Sequence, residues 1–239
     1  MSGLIALVGS GEYLETMDAA DRRLLAETQH PPPHVVCIPA AAGEEGEESV
    51  NRWAEMGVQH FTRLGARVEA ARITDRASAD DPQWAALIEA ADLIYFSGGD
   101  PLYLHRTLTG TRAWAAVEAA LARGAVYAGC SAGAMILGAY VPDVQSPGLE
   151  LYPAFSRIPA QVIMPHFDML EHYRPGATAQ VLNGLADGQF ALGIDENTAL
   201  IGRPGAEWEV LGASGVSLLT RRATRVYPVG QRLTLPGAL

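Results

Sequence analysis

The sequence predicts an α/β protein: a mostly parallel sheet with helices on both faces, and a small antiparallel extension at the C-terminus. Three observations point there. Short apolar runs alternate with longer amphipathic stretches through the first half, which is the pattern of parallel strands covered by helices. After Ser131 this alternation breaks off. From Ala191 onward the apolar runs are short and separated by Gly-bearing turns, as in antiparallel pairing.

The expected strands are residues 4–8, 35–39, 68–73, 93–96 and 126–128. Helices are expected over 49–64, 83–91 and 111–123, where apolar residues recur at three- and four-residue spacing. Residues 141–159 hold four prolines and little periodicity, so they read as a long surface excursion of the kind that borders a site. A helix is expected over 178–185. The C-terminal strands are expected at 191–194, 199–201, 208–211, 216–219 and 225–229. No flexible linker or internal repeat interrupts the 239 residues, so the whole chain, 1–239, reads as one domain around one core.

Composition removes several function classes. The 27 acidic residues outnumber 17 basic ones, for a formal charge of -10, and no basic cluster could track a phosphate backbone, so nucleic acid is not expected as a partner. Every basic residue is Arg; the absence of Lys excludes a Ser-Lys dyad, a pyridoxal Schiff base and a P-loop ATPase. Cys37 and Cys130 are too few for a disulfide framework or a four-cysteine zinc site, and they read as two buried thiols. No apolar run approaches the roughly 20 residues that span a bilayer, and Met1 leads into a strand-like run without a basic n-region, so a cytoplasmic protein without membrane contact is expected. Gly9, Ser10 and Gly11 lack the third glycine of a dinucleotide loop, since position 14 is Leu14, and read as a tight turn. Glu44, Glu45, Glu47 and Glu48 read as carboxylates at a helix N-terminus. Neither a metal nor a cofactor is expected.

The segment 125–135 carries the chemistry. A strand runs into Gly129-Cys130-Ser131-Ala132-Gly133 and then an apolar helix, which is the nucleophile-elbow arrangement. Small flanking residues are needed because the backbone passes close to itself there. Ser131 would then project from the carboxyl end of the sheet, where backbone N–H groups at a helix start can stabilise an oxyanion. A helix-capping serine and a Cys130 nucleophile are the competing readings, but the glycine pair is centred on Ser131. Gly98 and Gly99 follow the preceding strand and could supply a second oxyanion N–H from the same sheet edge.

Histidine is the expected base, because a neutral imidazole can take the serine proton and return it to a leaving amine. His166 follows the apolar run 161–165 and should stand at a strand end, whereas His30, His34, His60, His105 and His172 sit beside prolines, on expected helices or in a polar stretch. The acid that orients it is open among Asp143, Glu150, Asp168, Asp195 and Glu196, with Glu196 and Asp143 level on position alone.

The stretches Ser97-Gly-Gly-Asp100, Gly129-Cys-Ser-Ala-Gly-Ala134, Pro165-His-Phe167 and Gly193-Ile-Asp-Glu-Asn-Thr-Ala-Leu200 resemble the aspartyl dipeptidase (peptidase E) and cyanophycinase family of serine peptidases. The resemblance spans nearly the whole chain and implies a flavodoxin-like fold related to class I glutamine amidotransferases. It implies a Ser131, His166, Glu196 triad, with oxyanion donors from Gly99 and Ala132, and so favours Glu196 over Asp143 or Asp195. It further implies a homodimer acting on small peptides, either as a dipeptidase that removes N-terminal Asp or as a cyanophycinase-like hydrolase of β-Asp-Arg linkages. Asp100 stands where the dipeptidases carry Asn, and Asp168-Met-Leu-Glu171 replaces the cyanophycinase basic run, so both are departures near the substrate. Arg174, eight residues after His166, is a candidate reader of a substrate carboxylate. An α/β-hydrolase esterase is disfavoured because no histidine follows His172. A catalytically silent module of the same fold is the remaining rival.

Overall fold

The structure is a computed structural model and describes residues 3–146 and 148–237. The first five strands, β1 (Ile5–Val8), β2 (His34–Ile38), β3 (Arg67–Ala70), β4 (Leu93–Phe96) and β5 (Val126–Cys130), are all parallel, in the order β1-β5-β4-β2-β3. Their side chains alternate between two cores. Leu4, Ala6, Val8, Val35, Cys37 and Tyr95 face the helices Asp18–Leu25 and Glu47–Arg63, where Met17, Leu24 and Phe61 are fully buried. Ile5, Leu7, Ile38, Ile94, Phe96 and Tyr127 face the helices Pro82–Glu89, Pro101–Leu108 and Arg112–Arg123. Both faces are therefore covered, which is why these strands read as continuous apolar runs.

Helix starts follow local chemistry. Asp81, Asp100 and Thr111 each accept a hydrogen bond from a first-turn N–H, and Pro82 and Pro101 occupy the first helical position, where a missing N–H costs nothing. The expected helices form within a few residues of their predicted ends.

Two regions differ from expectation. Residues 141–159 form a hairpin, β6 (Tyr140–Pro142) with β7 (Leu151–Pro153), and Val141, Ile158 and Ala160 are buried. Of its described prolines, Pro142 and Pro153 sit at strand ends and Pro159 lies outside the strands, where they need donate nothing to the ladder. The C-terminal strands are antiparallel as expected, but they divide between two sheets. The strands β10 (Thr198–Gly202) and β11 (Glu207–Gly212), with the last strand Arg232–Thr234, extend the central sheet from β1, giving eight strands. They cover the edge of β1 that would otherwise stay open, with Val8 opposite Ala199. A four-stranded sheet holds β8 (Ile163–Met164), β9 (Phe190–Ile194), β12 (Gly215–Thr220) and β13 (Thr224–Pro228), with β8 parallel to β9. With β13 in place, Arg232–Thr234 is β14.

Candidate active site

The elbow starts from β5. Ser131 donates its N–H to Val8 O at 2.9 Å, which ties the turn to the end of β1. A Cβ on Gly129 would lie 2.3 Å from Gly133 O, so only glycine lets the chain fold back this tightly. Ser131 itself has φ +48° and ψ −107°, a conformation that residues with a Cβ rarely adopt. The short helix Ala132–Met135 follows directly.

His166 ends the segment after β8, with its N–H donating to Gly9 O at 3.3 Å, and Glu196 stands in the turn from β9 to β10. Because β10 runs against β1, that turn lies at the carboxyl end of the parallel strands. The three side chains form one line: Glu196 Oε1 is 2.8 Å from His166 Nδ1, and His166 Nε2 is 3.3 Å from Ser131 Oγ. The second distance is at the long end of hydrogen-bond reach, as is common without substrate. Asp168 accepts the Glu196 N–H at 2.8 Å and so holds the backbone that carries the acid.

The other candidate acids are occupied elsewhere. Asp143 Oδ1 accepts the N–H groups of Gln145 and Ser146, Asp195 Oδ2 accepts Ser214 Oγ–H and the Gly215 N–H, and Glu150 accepts the Tyr152 hydroxyl. Among the remaining histidines, His60 lies 2.8 Å from Asp21 in a buried pair, and His105 packs on Phe155, where burial lowers its pKa.

One residue of the site escaped the sequence reading. Glu12, half-buried just after β1, accepts the Gly98 N–H at 2.8 Å through Oε1 and the Cys130 thiol at 3.0 Å through Oε2. It joins the ends of β1, β4 and β5. The readable signal was a carboxylate directly after the Gly9-Ser10-Gly11 turn at a strand end. Glu12 also sorts the donors, since the Gly98 N–H is taken, whereas the backbone N–H groups of Gly99 and Ala132 meet no acceptor among the described residues. Gly99 is exposed, so its N–H can reach a substrate. Burial first, and then the Glu12 carboxylate, push the Cys130 thiol well above its ordinary pKa. A protonated thiol is a poor nucleophile. Cys37 is likewise raised, to about 12, by burial.

Beside Ser131 and His166 opens a cavity of about 190 Å³, walled largely by apolar side chains and roofed by the β6–β7 connection. Arg174 lines it, but donates to Val144 O at 3.3 Å and Ser146 O at 2.5 Å. Asp100 caps the helix Pro101–Leu108 through the Tyr103 N–H and accepts the Gln145 amide at 3.0 Å. Both side chains thus brace the loop over the cavity. Among the described residues no cluster of three or more His, Cys, Asp or Glu could hold a metal, and no helix is long and apolar enough to cross a membrane.

A solved peptidase from an acI-B1 Actinobacterium superposes with a TM-score of 0.88 at 34% identity, covering 98% of each chain. A structure from Listeria monocytogenes shares the fold at a TM-score of 0.66 and 22% identity, over 90% of this chain and 100% of that one. The cyanophycinase of Geminocystis herdmanii is 26% identical over 202 residues, 79% of this chain and 70% of that protein. That of Trichormus variabilis is 24% identical over 197 residues, and here the chain spans only 63% of the relative's length. The model of peptidase family S51 matches residues 4–205, most of the chain, which therefore belongs to that family and is a serine-type hydrolase of peptide bonds.

Proposed function

We propose that the chain hydrolyses short peptides through Ser131, His166 and Glu196. The observation that carries this reading is the continuous hydrogen-bonded line from Glu196 Oε1 through His166 to Ser131 Oγ at the carboxyl edge of the sheet. Ser131 Oγ attacks the scissile carbonyl carbon while His166 Nε2 takes its proton. The carbonyl oxygen becomes an oxyanion facing the N–H groups of Gly99 and Ala132. His166 then protonates the leaving amine, the C–N bond breaks, and water releases the acyl group from Ser131 by the same steps in reverse. Glu196 keeps the Nδ1 proton toward itself and stabilises the imidazolium.

An exopeptidase acting on dipeptides is the form that the site's size favours, and by resemblance it works as a cytoplasmic homodimer. The relatives named cyanophycinase support a second reading, cleavage of β-Asp-Arg linkages. Incubating the purified protein with dipeptides, tripeptides and cyanophycin, with a Ser131→Ala control and fluorophosphonate labelling, tests both readings. Amine release from short peptides with Ser131 as the labelled residue is expected. Labelling elsewhere, or full activity in Ser131→Ala, would overturn the triad.

A further inference from the structure

Ser131, His166 and Gly99 all line the cavity beside the elbow, so whatever fills it adjoins the carbonyl that is attacked. The acyl side chain branches one carbon from that carbonyl, which puts this hollow within its reach. The walls are Met135, Leu149, Val162, Leu170, Tyr173 and Val181, with Val144 and Leu151 at the mouth. Val144, Leu151 and Tyr173 are 45%, 44% and 61% exposed, and three exposed large apolar side chains around one opening mark a binding surface rather than scattered surface residues. The charged side chain among the lining residues besides His166 is Arg174, whose guanidinium already donates to the carbonyls of Val144 and Ser146. A carboxylate placed here would have to draw Arg174 away from those carbonyls and would lose water against the remaining hydrocarbon walls, while an aliphatic or thioether side chain gains burial. An apolar cavity of about 150 Å³ takes a benzene ring, so about 190 Å³ holds a Leu, Met or Phe side chain.

Resting on the Ser131 reading above, we infer that this hollow is an apolar subsite and that the enzyme selects a large apolar residue, not Asp, on the acyl side of the scissile amide. The catalytic line processes any acyl group, and the hollow decides which one arrives.

The test uses diphenyl phosphonates of free amino acids, in which Ser131 Oγ bonds to phosphorus as phenol leaves, so the leaving group is constant and only the acyl-side chain varies. The second-order labelling rate for the Leu analogue should exceed that for the Asp analogue about 100-fold, the scale set by burying a Leu side chain. In Leu170→Arg, which places a cation in the wall, the Leu-to-Asp ratio should fall at least ten-fold; the ratio is taken within the one variant, so it holds whatever the absolute rate, and circular dichroism reports folding. Equal rates, or a faster Asp analogue in the wild-type protein, would overturn the apolar subsite even if Leu170→Arg fails to fold. Fluorophosphonate labelling separates the two ideas: if Ser131 is labelled but Leu has no advantage, only the subsite falls. If Ser131 is not labelled at all, the serine reading falls and takes the subsite with it.

Discussion

The two edges of the parallel strands handle the same backbone problem differently. On the amino edge, the turns that lead into β3 and β5 need positive φ and use Gly65 and Gly124, which adopt it without steric cost. On the carboxyl edge Gly11 and Gly99 do the same, but Tyr13, Ser131, His166 and Asn197 also take φ between +48° and +67°, four of the five non-glycine residues that do so among those described. Such positions cost roughly 1–3 kcal/mol each. Strain is accepted where a side chain is needed, since Ser131 and His166 are the residues proposed to react and glycine has nothing to present. The amino edge holds the fold and the carboxyl edge carries the proposed chemistry.

The largest effect that should separate the edges is on turnover. Ser131→Ala should lower kcat on the order of a million-fold with the fold intact, because only binding and the oxyanion donors remain. Cys130→Ala should stay within a few-fold, since its thiol is buried and protonated beneath the turn. Steady-state kinetics on one peptide decide the matter, and a dead Cys130→Ala beside a live Ser131→Ala would move the nucleophile.

Next in size is the acid. Glu196→Gln should cost about a hundred-fold or more in kcat, by analogy with other triad acids, whereas Asp143→Asn should leave kcat close to wild type because its carboxylate only holds the turn at Gln145 and Ser146. The reverse ranking would break the proposed line while leaving the nucleophile standing.

What was legible divides along the same lines. The elbow could be read because a strand run, small residues and a helix follow one another within 125–135, so the context of Ser131 is local. His166 was legible for a similar reason, standing just past an apolar run. Glu196 was not separable from Asp143 by position, because what distinguishes them is that β10 returns antiparallel along β1, a pairing between residues almost the whole chain apart. The same long-range pairing divides the C-terminal strands between two sheets, and short runs with glycine turns say nothing about which neighbour each strand chooses. The hairpin within 141–159 was hidden by its prolines. Glu12 went unread because its role depends on the ends of three strands meeting.

Ser131→Gly removes the strain at φ +48° and keeps the turn, so, after the entropic cost of a new glycine, it should gain about 1 kcal/mol and raise Tm by roughly 2–4 °C while abolishing activity. Gly124→Ala does the opposite at φ +106°, where a Cβ would meet no atom within 4 Å, so backbone strain alone should cost about 1–2 kcal/mol and leave kcat unchanged. Thermal melts of the two variants measure both. A destabilised Ser131→Gly would mean that the serine side chain contributes more to the fold than its conformation costs.

The smallest expected effect tests whether the amino edge is silent in catalysis. Glu27 follows the helix Asp18–Leu25 and accepts from Arg203 and Arg23, each at 2.7 Å, pinning that helix to the segment after β10. These contacts, Arg203 first, hold the Glu27 carboxyl below its ordinary pKa. A depressed folded-state pKa means that the native protein binds fewer protons than the unfolded chain, so this contribution is present above the ordinary Glu value of about 4.3 and is lost as pH falls through the lower folded value. The pair is partly exposed, with side-chain exposures of 43% for Arg203 and 25% for Glu27, so screening keeps the effect near 0.5–1 kcal/mol. Glu27→Gln should therefore be less stable than wild type by that amount in urea at pH 7, with the gap closing toward zero below about pH 4, and kcat should not change at either pH. A constant gap across pH would assign the loss to packing instead of charge, and a fall in kcat would show that the two edges are coupled through β1 and β10.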